Sequence, residues 1–207
     1  MRNQKVLFIV KLGVLAGLVF LLALTPLGYI RIGAVELTLC QIPVILGAVM
    51  MGPAAGAILG GFFGLTSLLQ AITGQSAVFS PIFPNDPLAI IVLCFVPRIL
   101  MGFLTGIIAQ AMNKNAKLAK LSAAVAGVSG ALMNTIFFIG GTILLLLEET
   151  AQVLMNLGVV AAESAAVGFW VTTGAVNGIP EAIVSAILVA AIAKAMQAVE
   201  KHSQKYV

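Results

Sequence analysis

Charge is what this chain has least of. Asp, Glu, Lys and Arg make up 9% of its 207 residues, against about 25% in soluble domains. With 61% apolar residues, it cannot cover itself with polar surface, and lipid has to be its solvent. Histidine is nearly missing. His202, in the tail, is the only one, which argues against intramembrane proteolysis by a Ser/His pair or a metal. The two cysteines, Cys40 and Cys94, lie in apolar segments without metal-ligand spacing and read as buried, inert thiols. There is no GxxxxGK[ST] sequence, so the chain does not hydrolyse ATP through a P-loop. No catalytic residue, cofactor or metal is expected. Beyond phenylalanine the aromatics are only Tyr29, Tyr206 and Trp170. A cage for flat heteroaromatic rings is therefore not the first expectation, although Phe79, Phe83 and Phe95 would be available to build one.

Apolar sequence of helix length is what the chain has in quantity. It holds about six crossings of ~20 residues, which predicts an all-α membrane protein with a single domain over 1–207. The expected helices are 6–24, 37–51, 53–72, 88–112, 121–147 and 164–193. The start, MRNQK, resembles a signal peptide, but Ala23-Leu24-Thr25 is a poor cleavage site, so the first helix reads as retained. Residues 25–38 (TPLGYIRIGAVELT) alternate apolar and polar around Gly33, as a short hairpin at the membrane mouth would. Gly52-Pro53 separates the second helix from the third, and proline suits a first helical turn. Pro81, Pro84 and Pro87 exclude regular structure from 73–87, a loop that either closes over a ligand or simply connects. NKNAKLAK (113–120) is the clearest polar break. After Glu148-Glu149, the residues Val153, Leu154, Leu157, Val160 and Ala161 keep helical spacing, so 148–163 reads as an amphipathic helix on the outer surface.

Six crossings put both termini on one side. Arg2, Lys5, Lys11, Lys114, Lys117, Lys120, Lys194, Lys201 and Lys205 then share that side, leaving only Arg31 and Arg98 elsewhere. Glu36, Asp86, Glu148, Glu149 and Glu163 fall on the other. Basic residues gather in the cytoplasm, so both termini are expected there. The net charge of +4 reports topology, and no nucleic-acid partner is expected.

Gly52, Gly56, Gly60 and Gly64 recur every four residues and form a bare ridge that a helix backbone or a ligand can approach closely. Within the predicted spans the polar residues to explain are Arg98, Asn134, Asn177 and Glu181. An arginine near the bilayer centre costs roughly 2.5–3.5 kcal/mol on insertion scales. Counting ~1.5 Å per residue from the cytoplasmic helix ends places Arg98, Asn134, Glu181 and Thr66 about 20–23 Å deep, Asn177 near ~26 Å and Gly64 near ~17 Å. Residues of four helices thus share one slab, slightly outward of the midplane, and this coincidence is the argument for a site. Gly52, Gly56 and Gly60 read as packing positions, and Gly64 as room for substrate. Arg98 and Glu181 either pair with each other or one serves a ligand, with Asn177 four residues away on the same helix face as Glu181. Asn134 is interhelical glue, worth on the order of 0.6 kcal/mol, or a ligand contact. Gln41 is a further candidate contact, Trp170 reads as an interface anchor, and Arg31 as solvated. A cation among amides and hydroxyls suits an anionic, hydroxyl-rich small molecule whose carboxylate meets the guanidinium bidentately.

Gln41-Ile42-Pro43-Val44, the 52–67 ridge, CFVPRILMG (94–102), GALMNTIFFIGG (130–141) and NGIPEAI (177–183) carry a family likeness. Over essentially its whole length the chain resembles the substrate-binding S components of energy-coupling-factor vitamin transporters, and is most similar to the pantothenate-specific members. The resemblance implies six helices around an outward cavity roofed by the loops after the first, third and fifth. It implies capture of a vitamin, pantothenate first among them, and toppling in the membrane. As partners it implies one transmembrane coupling protein and two cytoplasmic ATPases that power release. It carries ligand contacts onto Gly64 of FGLTS, Arg98 of VPR and Asn134 of MNT. The family's Ala-x-x-x-Ala docking face on the first helix is replaced here by Gly13-x-x-x-Gly17 with Ala16 beside it, which keeps small-xxx-small packing. Alternatives are an S component for another vitamin, a stand-alone secondary transporter, and a structural membrane protein whose polar cluster is helix glue. The secondary transporter is expected to show inverted repeats, and no convincing internal repeat is found.

Overall fold

Proline and glycine set most of the helix ends. The computed structural model describes residues 4–32 and 35–204. In chain order these form α1 (Gln4–Ala23), the strands β1 (Tyr29–Ile32) and β2 (Val35–Thr38), α2 (Gln41–Met51), α3 (Pro53–Ile72), α4 (Pro87–Asn113), the single turn α5 (Ala116–Ala119), α6 (Ser122–Leu145), α7 (Leu147–Asn156) and α8 (Ala166–Gln204). Pro53 and Pro87 occupy first turns, where a missing N–H loses nothing. Asp86 caps α4 by accepting the Ala89 N–H at 3.0 Å. Gly52, at φ 93°, reverses the chain between α2 and α3.

The helices α1, α3, α4, α6 and α8 are long and apolar enough to cross a bilayer. The expected second crossing differs. Residues 35–38 pair with β1 in antiparallel register, from Tyr29↔Thr38 to Ile32↔Val35, so the helix begins at Gln41 rather than 37 and has 11 residues. That is about 16 Å of helix, roughly half of the ~30 Å hydrocarbon core. The sequence 37–38 continues the hairpin because Thr38 closes its base, donating its hydroxyl to the Gly28 carbonyl at 3.1 Å. Every residue from Gln41 to Ala48 is buried, and α2 packs against α1, α3, α4, α6 and α8. It is the central post of the bundle.

Near the other end, the helix expected over 148–163 stops at Asn156, because Gly158 turns the chain at φ 68°. Its buried face is Thr150, Ala151 and Leu154. The last helix runs beyond its expected end at 193. Arg2, Gly33 and Lys205 lie outside the described residues, as do the side chains of Arg31, Glu36, Lys201 and His202.

Two backbone seams hold the long helices together. Along the first, α3 lies against α4. A Cβ on Gly56 or on Gly102 would run into the other's carbonyl, and one on Gly60 into the carbonyl of Arg98. At Gly64 a Cβ would sit 2.7 Å from the Cys94 oxygen and 3.0 Å from the Cα of Phe95. The whole ridge therefore faces α4, including its outer end. The second seam joins α6 to α8, where a Cβ on Gly127 would lie 2.6 Å from the Cα of Ala186. By contrast, Gly13 and Gly17 of α1 meet nothing within 4 Å among the described residues. Ala16, expected beside them on a docking face, is buried in the core.

The α3–α4 seam is testable by crowding it. Gly102→Val is expected to lower the unfolding temperature in detergent, through a destabilisation larger than the about 1–3 kcal/mol typical of overpacking, because the obstacle is backbone. Gly61→Ala, with nothing within 4 Å, is expected to leave it unchanged or slightly raised. Equal melting of the two variants would remove the seam from the account.

Candidate functional site

The site begins with a defect in a helix. Pro97 lies inside α4 and has no N–H, so the Leu93 carbonyl four residues earlier loses its helical partner. The next residue repairs the break: Arg98 Nη1 donates to the Leu93 oxygen at 2.8 Å. Arg98 as a whole is only 6% exposed. Its Cζ lies 4.1 Å from the ring centroid of Phe138 and 5.4 Å from that of Phe63, so ring faces take up part of the charge that water would otherwise solvate.

Arg98 forms part of the wall of a cavity between the hairpin, α3, the 73–86 loop, α4, α6 and α8. About 120 Å³ of it is open to the centre of a water-sized sphere. Asn134 of α6 and Asn177 and Glu181 of α8 line the same space. Asn134 is buried, and its Oδ1 has no hydrogen-bond partner among the described residues. Leaving such a group unsatisfied costs on the order of 1–3 kcal/mol, so this amide is a position where a ligand donor would gain most.

Glu181, 3% exposed, has its carboxylate engaged by the hairpin corner. Oε1 accepts the Thr38 N–H at 2.6 Å, and Oε2 accepts from Gln41 Nε2 at 3.3 Å. Gln41 Nε2 also reaches Ser185 Oγ at 3.3 Å. These bonds go to neutral donors, and the Arg98 charge acts on Glu181 through space. On the far strand the Tyr29 hydroxyl is 3.3 Å from Thr66 Oγ1 and 3.2 Å from Ser67 Oγ.

Of the seven residues singled out as ligand contacts, Arg98, Asn134, Asn177 and Glu181 line the cavity. Gln41 lies behind Glu181, and Thr66 donates to the Phe63 carbonyl at 2.8 Å beside Tyr29. At Gly64 the space expected for substrate is filled by the backbone of α4 at Cys94 and Phe95. Depth along a helix places these residues on one level, but it does not say which way each one faces.

Of the three phenylalanines available for an aromatic wall, Phe79 lines the cavity and Phe83 and Phe95 do not, while Phe138 and Trp170 line it without any expectation from the sequence. Trp170 is not an interface anchor. It is 5% exposed, donates its Nε1–H to Thr150 Oγ1 at 3.2 Å, and stacks on Phe79 with centroids 5.9 Å apart at 26°. Phe79 in turn meets Phe138 edge-on at 5.4 Å. Trp170 faces inward because α7 and the 73–86 loop cover that end of α8. The loop does more than connect, since Ser76, Val78 and Phe79 all line the cavity. A signal was available: Trp170, Thr173, Gly174, Asn177 and Glu181 share one helical face at i, i+3, i+4, i+7 and i+11.

A bundle of helices of membrane-crossing length around a buried polar cavity is a multi-pass membrane protein with an internal compartment of small-molecule size. Residues 7–193 match the family described as ECF transporter, substrate-specific component, and the chain belongs to that family. It is thus a transport subunit of a prokaryotic cell membrane, acting within an ECF transporter. Among its relatives, the "Pantothenate transporter PanT" of Leuconostoc mesenteroides subsp. mesenteroides is 32% identical over 199 residues, 93% of each chain. The "Pantothenic acid transporter PanT" of Lactococcus lactis subsp. cremoris is 29% identical over 180 residues, 82% of each chain.

Trp170 is the only tryptophan in the chain, so its surroundings can be read directly. Acrylamide is expected to quench its fluorescence poorly in the native protein and distinctly better in Phe79→Ala, which removes the stacked ring. Efficient quenching of the unaltered protein would return Trp170 to the interface.

Proposed function

We propose that this chain captures pantothenate from outside the cell, as the vitamin-binding subunit of an ATP-driven ECF importer. The observation that carries the reading is the convergence of Arg98 and the unsatisfied amide of Asn134 on one buried cavity, in a chain whose relatives are named pantothenate transporters. Arg98 takes the ligand carboxylate, with the geometric fit of a guanidinium fork. Asn134 and Asn177 hydrogen-bond the amide and hydroxyls. Phe79, Phe138 and Trp170 cover the apolar middle of the molecule. Gly64, Thr66 and Gln41 support the wall without touching the ligand. The whole of 1–207 acts as one domain.

The topology we propose has six crossings and cytoplasmic termini. In it the hairpin and the short α2 together make the second passage, and α7 and the 73–86 loop roof the outer end. The partners are one transmembrane coupling protein and two cytoplasmic ATPases. The coupling protein docks on the open face of α1 at Gly13 and Gly17, where Ile9, Val10 and Val14 are exposed.

Calorimetric titration of the purified protein against a vitamin panel tests the ligand, and pantothenate is expected to bind. Binding of riboflavin or folate in its place would overturn the specificity. Arg98→Ala is expected to weaken pantothenate by about 100-fold or more, as truncating one partner of a buried charge pair does. Arg98→Lys restores little of this, because an ammonium lacks the planar fork. Melting of the lysine variant near the native temperature would separate lost binding from lost folding. Unchanged affinity in both variants would remove Arg98 from the site.

A further inference from the structure

Glu181 was expected to touch ligand, but its hydrogen bonds point elsewhere. Both carboxylate oxygens are occupied by the corner where β2 turns into α2, through the Thr38 N–H and the Gln41 amide. One turn further along α8, Ser185 holds the same Gln41 nitrogen. That corner is a node of the hairpin. Thr38 donates its hydroxyl to the Gly28 carbonyl and accepts the Cys40 N–H at 3.2 Å, and the Leu39 N–H reaches Gly28 at 3.0 Å. Whatever holds residues 38–41 therefore also holds the base of both strands.

The hairpin is strapped to the bundle at two points of unequal strength. At Tyr29 the bonds to Thr66 and Ser67 run between neutral hydroxyls at 3.2–3.3 Å. At Glu181 a single carboxyl group takes two buried donors, and the bond from the Thr38 N–H is short, at 2.6 Å. Tyr29 and Thr38 both line the cavity, so loosening the strap moves the cavity wall itself.

We propose that Glu181 is a positioning residue for ligand capture. It anchors the 38–41 corner to α8 and thereby sets how often the hairpin lifts from the cavity. The effect on capture rests on the reading of this cavity as the vitamin site, whereas the anchoring does not. Glu181 acts through Thr38 and Gln41, accepting from two buried donors that would otherwise lose their acceptor.

Amide hydrogen exchange of the ligand-free protein, read by peptide, tests the anchor. Glu181→Ala is expected to raise exchange across the hairpin and residues 38–41 by about tenfold or more, leaving α3 and α6 unchanged. Glu181→Gln keeps an acceptor for the Thr38 N–H, and a flipped Gln41 amide presents to it the Oε1 that has no partner among the described residues of the native protein. This variant is expected to return exchange to within about threefold of native, and it keeps the test open should the alanine variant not fold. Gln41→Leu removes one arm of the clasp. Combined with Glu181→Ala it is expected to add nothing further, because coupled partners are not additive.

With pantothenate, Glu181→Ala is expected to speed dissociation about tenfold without slowing association, as a looser hairpin would. Faster dissociation with unchanged ligand-free exchange would make Glu181 a direct contact and overturn the proposal, as would full additivity with Gln41→Leu. Failure of the native protein to bind any vitamin would overturn the pantothenate reading while leaving the exchange result to decide the anchor.

Discussion

The hydrogen bond from Arg98 to the Leu93 carbonyl joins three requirements that oppose one another. A bundle solvated by lipid must satisfy every backbone group internally, yet a proline at 97 releases one carbonyl in the middle of α4. An arginine at this depth must in turn find partners other than water. Placed together in sequence, each residue meets the other's need, at 2.8 Å. The result is a cation held in a fixed place beside a cavity, with Phe138 and Phe63 against its faces. Charge burial and helix distortion are here one local arrangement. The pattern has a counterpart in α8, where Glu181 directly follows Pro180, and there the charge is turned to a neighbouring hairpin.

Close approach of backbones makes room for this arrangement. Lipid gives helices little hydrophobic reason to associate, so packing of small residues has to do much of that work. Gly56, Gly60 and Gly64 let α3 lie directly on α4 at Gly102, Arg98 and Cys94. That contact fixes the rotation of α4 and so points the side chain of Arg98 toward the cavity. The α6–α8 seam does the same for Asn134 and Asn177. Between the two seams stands α2, short and wholly enclosed over most of its length, and the space above its N-terminus is left to the hairpin. A helix of full crossing length there would fill the cavity. The break at residues 38–41 is thus part of what leaves the cavity open, and this corner is where Glu181 takes hold.

Axial position was largely legible in the chain. Helical rise put Arg98, Asn134, Asn177 and Glu181 on one level, and these four do meet in one cavity. Prolines and glycines located most of the helix ends, because φ restriction and the lost N–H act locally whatever the packing. The same count placed Gly64 on the cytoplasmic side of Arg98, whereas it lies beside Cys94 and Phe95, about a turn nearer the Pro87 end of α4, and it gave both Gly64 and Thr66 the wrong company. Gly64 faces α4 and Thr66 faces Tyr29. The second helix was read four residues too long at its start because Leu37 and Thr38 suit either a strand or a helix, and only pairing with β1 decides between them.

What the sequence determined by itself was the class of solvent, most of the helix starts and the shared level of the polar residues that meet in the cavity, which follow from composition, from proline and glycine, and from a rise of ~1.5 Å per residue. Tertiary structure alone decided the direction each side chain faces. Azimuth depends on which neighbour a helix packs against, and Trp170 shows the consequence. Near the end of a long apolar helix it reads as an interface anchor, until Phe79 from a loop some ninety residues earlier and Thr150 from α7 close around it. Contacts between segments so far apart in the chain leave no local periodicity in it, so the roof and the aromatic wall of the site belong to the fold.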